Sequence, residues 1–126
     1  MLKFTQSIYP MEKLSICIPA YNYAHYLPHA IDSCLCQDVD FSLIVLDNAS
    51  SDCTPDLKDK YTSDSRVQWF RNESTIPVQA NWNKVVSLAS SKWIKLLQAD
   101  DKLIENSLEK ITRFIDANSA LGYIGH

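Results

Sequence analysis

Apolar positions along this chain fall into short runs separated by stripes at helical spacing. Leu14-Ser15-Ile16-Cys17-Ile18 is a compact run bounded by Pro19 and predicts a buried strand. Phe41 to Leu46 predicts a second strand that stops at Asp47, and Val67 to Phe70 a third. Trp93 to Leu97 predicts a fourth, running into Gln98-Ala99-Asp100-Asp101, and Leu121 to Ile124 opens a fifth. Between them, Leu27, Ala30, Ile31, Cys34 and Leu35 repeat as one face of a helix, with Pro28 near its start where a missing N–H does little harm. Thr54-Pro55 reads as an N-cap followed by proline, opening a short helix through Leu57 and Tyr61, with Asp52 in the turn before it. Val78, Trp82, Val85, Val86 and Ala89 mark a third helix. Ile104, Leu108, Ile111 and Ile115 mark a fourth, with Phe114 beside them.

Strict alternation of strand and helix predicts an α/β fold: a Rossmann-like, three-layer α/β/α arrangement with a mostly parallel sheet. Residues 1–12 carry no periodicity and read as a loose lead-in, so the domain is assigned to 13–126. No internal repeat, low-complexity segment or linker divides it.

Composition narrows the function. The chain has 126 residues, enough for one domain, and 46% are hydrophobic, enough for a core. A net charge of -3 with no basic block disfavours nucleic acid as a partner. No apolar stretch approaches the roughly 20 residues of a membrane span, and the N-terminus has no signal-peptide pattern. Of Cys17, Cys34, Cys36 and Cys53, three fall inside or directly beside apolar patterns, which reads as small buried hydrophobes in a reducing compartment. The expected location is cytoplasmic, with peripheral attachment at the inner face of a membrane left open.

The polar residues that end the strands carry the chemistry. Pro19-Ala20-Tyr21-Asn22 follows the first strand, Asp47-Asn48 the second and Asp100-Asp101 the fourth. In an open parallel sheet these ends converge on the edge where ligands bind. The only glycines are Gly122 and Gly125, so no glycine-rich loop cradles a phosphate. Carboxylates holding Mg²⁺ or Mn²⁺ would neutralise a diphosphate instead. Asp47 would accept from a base N–H or a ribose hydroxyl, and Tyr21 offers an aromatic face. Any one aspartate after a strand is more often a cap or turn residue; the joint pattern favours a site. A zinc site from His25, His29, Cys34 and Cys36 is weaker than core cysteines and surface histidines, because Cys34 and Cys36 point to different sides of a helix. Trp82 and Trp93 read as core. Glu105 and Glu109 read as a solvated helix face, and Asp116 as structural.

Leu14 to Asn22, Leu43 to Asp52, Arg71-Asn72, Asn81-Trp82-Asn83 and Leu96 to Asp101 together resemble, in order and spacing, the family 2 glycosyltransferases of GT-A fold. The resemblance implies that Pro19, Ala20, Tyr21 and Asn22 line a nucleoside pocket, with Asp47 and Asn48 at the base or ribose. It implies that Asp101 holds a divalent cation on the diphosphate and that Asp100 contacts the ribose or supports the metal. Asn81 and Asn83 would orient ribose or phosphate. Gln98 departs from the acidic residue common in relatives, and Ser74 and Ser91 stand where glycine is common. The implied ligand is a nucleoside diphosphate sugar, UDP-linked by default. The implied reaction is inverting transfer to an acceptor hydroxyl on a glycan or lipid-linked sugar. The usual catalytic carboxylate of such enzymes falls beyond this chain, so no catalytic residue is assigned. Two other readings stand: a non-catalytic nucleotide-binding or assembly module, including a homo-oligomer through an exposed sheet edge, and a phosphoacceptor receiver.

Overall fold

The computed structural model describes residues 13–117. Its elements are β1 (Leu14–Ala20), α1 (Leu27–Leu35), β2 (Ser42–Asp47), a 3-10 turn (Thr54–Leu57) leading into α2 (Lys58–Thr62), β3 (Val67–Arg71), α3 (Val78–Ser87), β4 (Trp93–Leu96) and α4 (Ser107–Ala117). The expected lead-in and the strand expected at 121–124 lie outside the described residues.

The four strands form one all-parallel sheet in the order β3-β2-β1-β4. Every residue of β1 is buried, and β2 is buried from Leu43 to Asp47. That explains why these strands read as apolar runs rather than alternations: parallel strands are covered on both faces. The faces still segregate by the two-residue strand period. Leu14, Ile16, Ile18, Leu43 and Val45 join the larger core with Leu27, Ala30, Ile31 and Cys34 of α1, Tyr61 of α2, and Leu108 and Ile115 of α4. Cys17, Ile44 and Leu46 face the other way and meet Val85 of α3. The chain steps outward from β1 to β3, then returns past β1 to place β4. Right-handed crossovers require the return helix to use the opposite face, which is where α3 lies.

β1 runs two residues past its predicted end, through Pro19. The β1 carbonyl of Cys17 accepts from Leu97 on the β4 side, and that of Ala20 from Asn48 on the β2 side. Alternation turns Pro19 toward the β4 side, beyond the last β4 pair at Leu96, so its missing N–H breaks no ladder bond.

Several local expectations are corrected. Thr54 is not a side-chain N-cap: Cys53 holds that position, no side chain caps the turn, and the Thr54 N–H donates to Asp52 Oδ1 at 2.8 Å. Ile104 stands before α4 and is 80% exposed, because Asn106 turns the chain through φ 64° ahead of the helix. Val78 opens α3 yet faces solvent. Cys17 and Cys34 are buried, but Cys36 and Cys53 are exposed. Asp116 pairs with Lys13, and Glu109 with Arg113 one turn on. No helix among the described residues is long and apolar enough to cross a membrane.

Two polar devices lock the helices. Arg66 caps the C-terminus of α1, donating to the carbonyls of Leu35 (2.9 Å) and Gln37 (3.3 Å), while Asp64 holds its guanidinium and its face covers Phe41. Hydrogen bonds from Arg66 in turn hold the Asp64 carboxyl down to about 2. Buried Gln37 accepts from the Leu108 N–H at 2.7 Å, satisfying the start of α4, and donates to the Ser33 carbonyl at 2.9 Å. Replacing it with alanine leaves a buried donor and acceptor unmatched. Gln37→Ala should therefore lower unfolding free energy by about 1–3 kcal/mol in urea titrations. The thiols give a second check. Burial pushes Cys17 and Cys34 up to about 12, so neither ionises near neutral pH. An Ellman titration at pH 8 should count two fast thiols in the native chain and four in denaturant.

Candidate functional site

The carboxyl ends of β1, β2 and β4 surround a cleft of about 450 Å³. It opens where strand order reverses, between β1 and β4. Pro19, Ala20, Tyr21, Asn22 and Tyr23 line it from β1 and its turn, and Asn48 from β2. Val78, Asn81 and Trp82 line it from α3, and Gln98, Ala99 and Asp100 from the end of β4. Seven of the expected site positions therefore meet in one cavity: Pro19, Ala20, Tyr21, Asn22, Asn48, Asn81 and Asp100.

Asp47 has a different surrounding. It is fully buried, and its Oδ1 accepts from the Ser50 N–H at 2.9 Å. Its Oδ2 pairs with Arg71, whose other nitrogen donates to the Ser50 carbonyl at 3.1 Å. Both oxygens are thus engaged in fixing the turn after β2, and Asp47 is not among the cleft-lining residues. That turn forces Ala49 to φ 56°, a left-handed conformation its Cβ disfavours.

The turns after β1 and β2 are stitched together. Asn22, also at φ 56°, accepts on Oδ1 from the N–H groups of Ser51 (2.8 Å) and Asp52 (3.2 Å). Its own N–H donates to Ser50 Oγ at 3.0 Å, and the Ala24 N–H reaches Asp52 Oδ2 at 3.1 Å. Asparagine tolerates left-handed φ better than other non-glycine residues, which suits it to this position. Asn22 shapes the rim with its backbone while its side-chain oxygen is occupied.

Beneath the α3 wall lies a buried amide network. Asn48 exchanges two hydrogen bonds with the backbone of Ile76: Nδ2 donates to its carbonyl (2.8 Å) and Oδ1 accepts from its N–H (2.9 Å). Asn72 Nδ2 donates both to Asn48 Oδ1 (2.9 Å) and to Asn81 Oδ1 (2.8 Å), and Lys84 Nζ donates to Asn72 Oδ1 at 2.6 Å. The sequence places Asn48 after the second strand, Asn72 in a loop and Asn81 at a helix start; the topology makes them one unit. Asn83, also expected near the ligand, is exposed and outside the lining.

Asp100 and Asp101 are both exposed. Asp100 lines the cleft, whereas the Asp101 N–H donates to the Gln98 carbonyl at 3.0 Å, closing the turn after β4. Asp101 also exerts its charge on Lys95, on the far side of β4, where burial lowers the ammonium's pKa and Cys34 and Asp101 oppose that. Among the described residues no three His, Cys, Asp or Glu side chains gather as a ligand set. Trp82, expected in the core, is half-buried and forms part of the cleft wall. Its helical spacing could not separate a core face from a cleft face, since both are apolar.

Known proteins share this architecture. Glycosyl transferase family 2 matches the chain over residues 15–126. An uncharacterized glycosyltransferase of Rickettsia bellii is 31% identical over 108 residues, covering 85% of this chain and 16% of that protein. The abequosyltransferase RfbV of Salmonella typhimurium is 28% identical over 111 residues, covering 84% of this chain and 33% of that protein. Among solved structures, S. aureus TarS 1-349 in complex with UDP superposes with a TM-score of 0.77 at 24% identity, over 85% of this chain and 33% of that one. The mannosyltransferase PcManGT from Pyrobaculum calidifontis, in complex with GDP-Man and Mn²⁺, does so at 0.74 and 18%, over 85% and 33%. These likenesses establish the fold as that of GT-A glycosyltransferases, and the chain spans 16% to 33% of these four proteins. With the family pattern running unbroken from the second residue of β1 to the last residue of the sequence, the chain belongs to glycosyl transferase family 2.

Proposed function

We propose that the cleft binds a nucleoside diphosphate sugar and that this chain is the donor-binding portion of a glycosyltransferase. One observation carries the reading. The ends of β1, β2 and β4 and the wall of α3 converge on one cavity at the switch point of the sheet, lined by Tyr21, Tyr23, Trp82 and Asp100 among others.

The parts fit that ligand chemically. Tyr21 and Trp82 offer aromatic surface to a base, and the Pro19–Asn22 backbone provides a rigid edge. Asp47 acts through the turn and Arg71, as a positioning residue rather than a direct contact. Asp100, which lines the cleft, and its exposed neighbour Asp101 offer hard oxygen ligands after β4. A pair of carboxylates suits Mg²⁺ or Mn²⁺, which commonly complete their shells with substrate phosphate and water. When bound, such an ion offsets the negative charge of the departing nucleoside diphosphate. In the whole protein the transfer would be a single displacement with inversion at the anomeric carbon. The attacking hydroxyl of an acceptor glycan or lipid-linked sugar would lose its proton to a carboxylate base. Asp116 and Glu109 do not line the cleft and are ion-paired with Lys13 and Arg113.

Calorimetric titration with UDP, GDP and dTDP, each with and without Mn²⁺, tests the reading. At least one nucleotide should bind, and more tightly with the ion. Asp101→Ala should reduce that metal-dependent gain by about tenfold or more. Absence of binding by every nucleotide in every condition would sink the donor-site reading. Binding whose metal dependence survives Asp101→Ala would remove Asp101 from the metal site.

The turn supplies a separate stability test. Ala49→Gly relieves left-handed strain and should raise unfolding free energy by about 0.5–1 kcal/mol, seen as a higher urea midpoint at constant slope.

A further inference from the structure

The amide network beneath the cleft has a direction, and the direction ends on the ligand. Lys84 Nζ can only donate, so the Asn72 atom it meets at 2.6 Å is the carbonyl oxygen. At the other end, the Ile76 backbone fixes Asn48: its N–H needs the Asn48 oxygen and its carbonyl needs the Asn48 amide nitrogen. Both anchors leave Asn72 one arrangement, with Nδ2 donating to Asn48 and to Asn81. Asn81 must then turn its oxygen inward to accept. Its Nδ2 is left without a protein partner among the described residues, on a side chain that is 3% exposed and lines the cleft.

We infer that Asn81 Nδ2 is a fixed hydrogen-bond donor for a carbonyl oxygen of the ligand's base, and so a specificity-determining residue. This rests on the donor-site reading above. The network supports the base end: Asn81 shares the Asn72 amide with Asn48 at the end of β2, whereas Asp100 follows β4 on the other side of β1. A nucleotide with its diphosphate toward Asp100 sets its base against α3. Uracil, thymine, cytosine and guanine each carry a ring carbonyl; adenine carries none. A buried donor left facing adenine would lose its water without gaining a partner, which disfavours that base. Asn72 and Lys84 do not line the cleft. They act as positioning residues that hold the amide in one orientation.

The test is calorimetry on the full 126-residue chain with UDP, CDP, GDP and ADP at saturating Mn²⁺. The best carbonyl-bearing nucleotide should bind at least about tenfold more tightly than ADP. Asn81→Asp keeps the shape and the oxygen that accepts from Asn72, but puts an acceptor where the donor stood. Its charge opposes every diphosphate alike, so the ratio of affinities isolates the base contact. That ratio should fall to within about threefold of one. Asn81→Ala carries the same expectation if the aspartate variant unfolds, with thermal melts reporting the fold. Equal wild-type affinity for ADP, or a ratio unchanged in both variants, overturns the inference while leaving the donor site standing. Failure of all four nucleotides to bind overturns the donor site itself, and this inference with it.

Discussion

A carboxylate with no access to water organises this site. Asp47 ends β2 inside the protein, and an unpaired charge there would cost about 3–5 kcal/mol. The chain answers with the Ser50 N–H and the guanidinium of Arg71. Arg71 ends β3, so the pairing joins the ends of two neighbouring strands. The Ser50 bond curls the turn tightly enough to push Ala49 into left-handed space. The same turn then presents Ser50, Ser51 and Asp52 to Asn22 and Ala24. One buried charge thereby ties β2 to β3 directly and to β1 through the stitched turns.

The cleft inherits that rigidity. Its β1 rim is held by the stitched turns and its α3 wall by the Asn48–Asn72–Asn81 network. The turn after β4 carries two exposed carboxylates, Asp100 and Asp101, and is closed by a backbone hydrogen bond from the Asp101 N–H to the Gln98 carbonyl. Rigid walls on one side and solvated acids on the other suit a ligand with a flat base and a charged diphosphate. Shape is set by buried polar groups held in place by one another, Asp47 by Ser50 and Arg71, and Asn48 by Ile76 and Asn72. Charge is supplied by groups kept in water, where holding a cation costs little desolvation.

Burial also separates residues that look alike. Cys34 belongs to the apolar face of α1, and Cys36 lies two positions on, at its exposed C-cap. Trp93 sits in the larger core, while Trp82 forms a cavity wall. Asp47 is sealed in and Asp100 is wet. In each pair residue type is constant and position relative to the sheet decides the role.

The alternation of apolar runs and helical stripes was enough to specify a parallel α/β sheet. Burial of strands on both faces and of helices on one leaves those signatures in linear order. The polar strand ends marked one edge of the sheet for the same reason: every parallel strand finishes there. Boundaries were less legible. Pro19 reads as a stop, yet β1 passes it because the β4 neighbour has already ended. Ile104 fits the α4 period, yet Asn106 turns the chain before the helix begins. Tertiary structure alone decided that Asp47 turns inward to Arg71 and that three asparagines far apart in the chain share one set of hydrogen bonds. Those outcomes depend on which groups lose water and who is near enough to replace it, and spacing along a chain does not encode that.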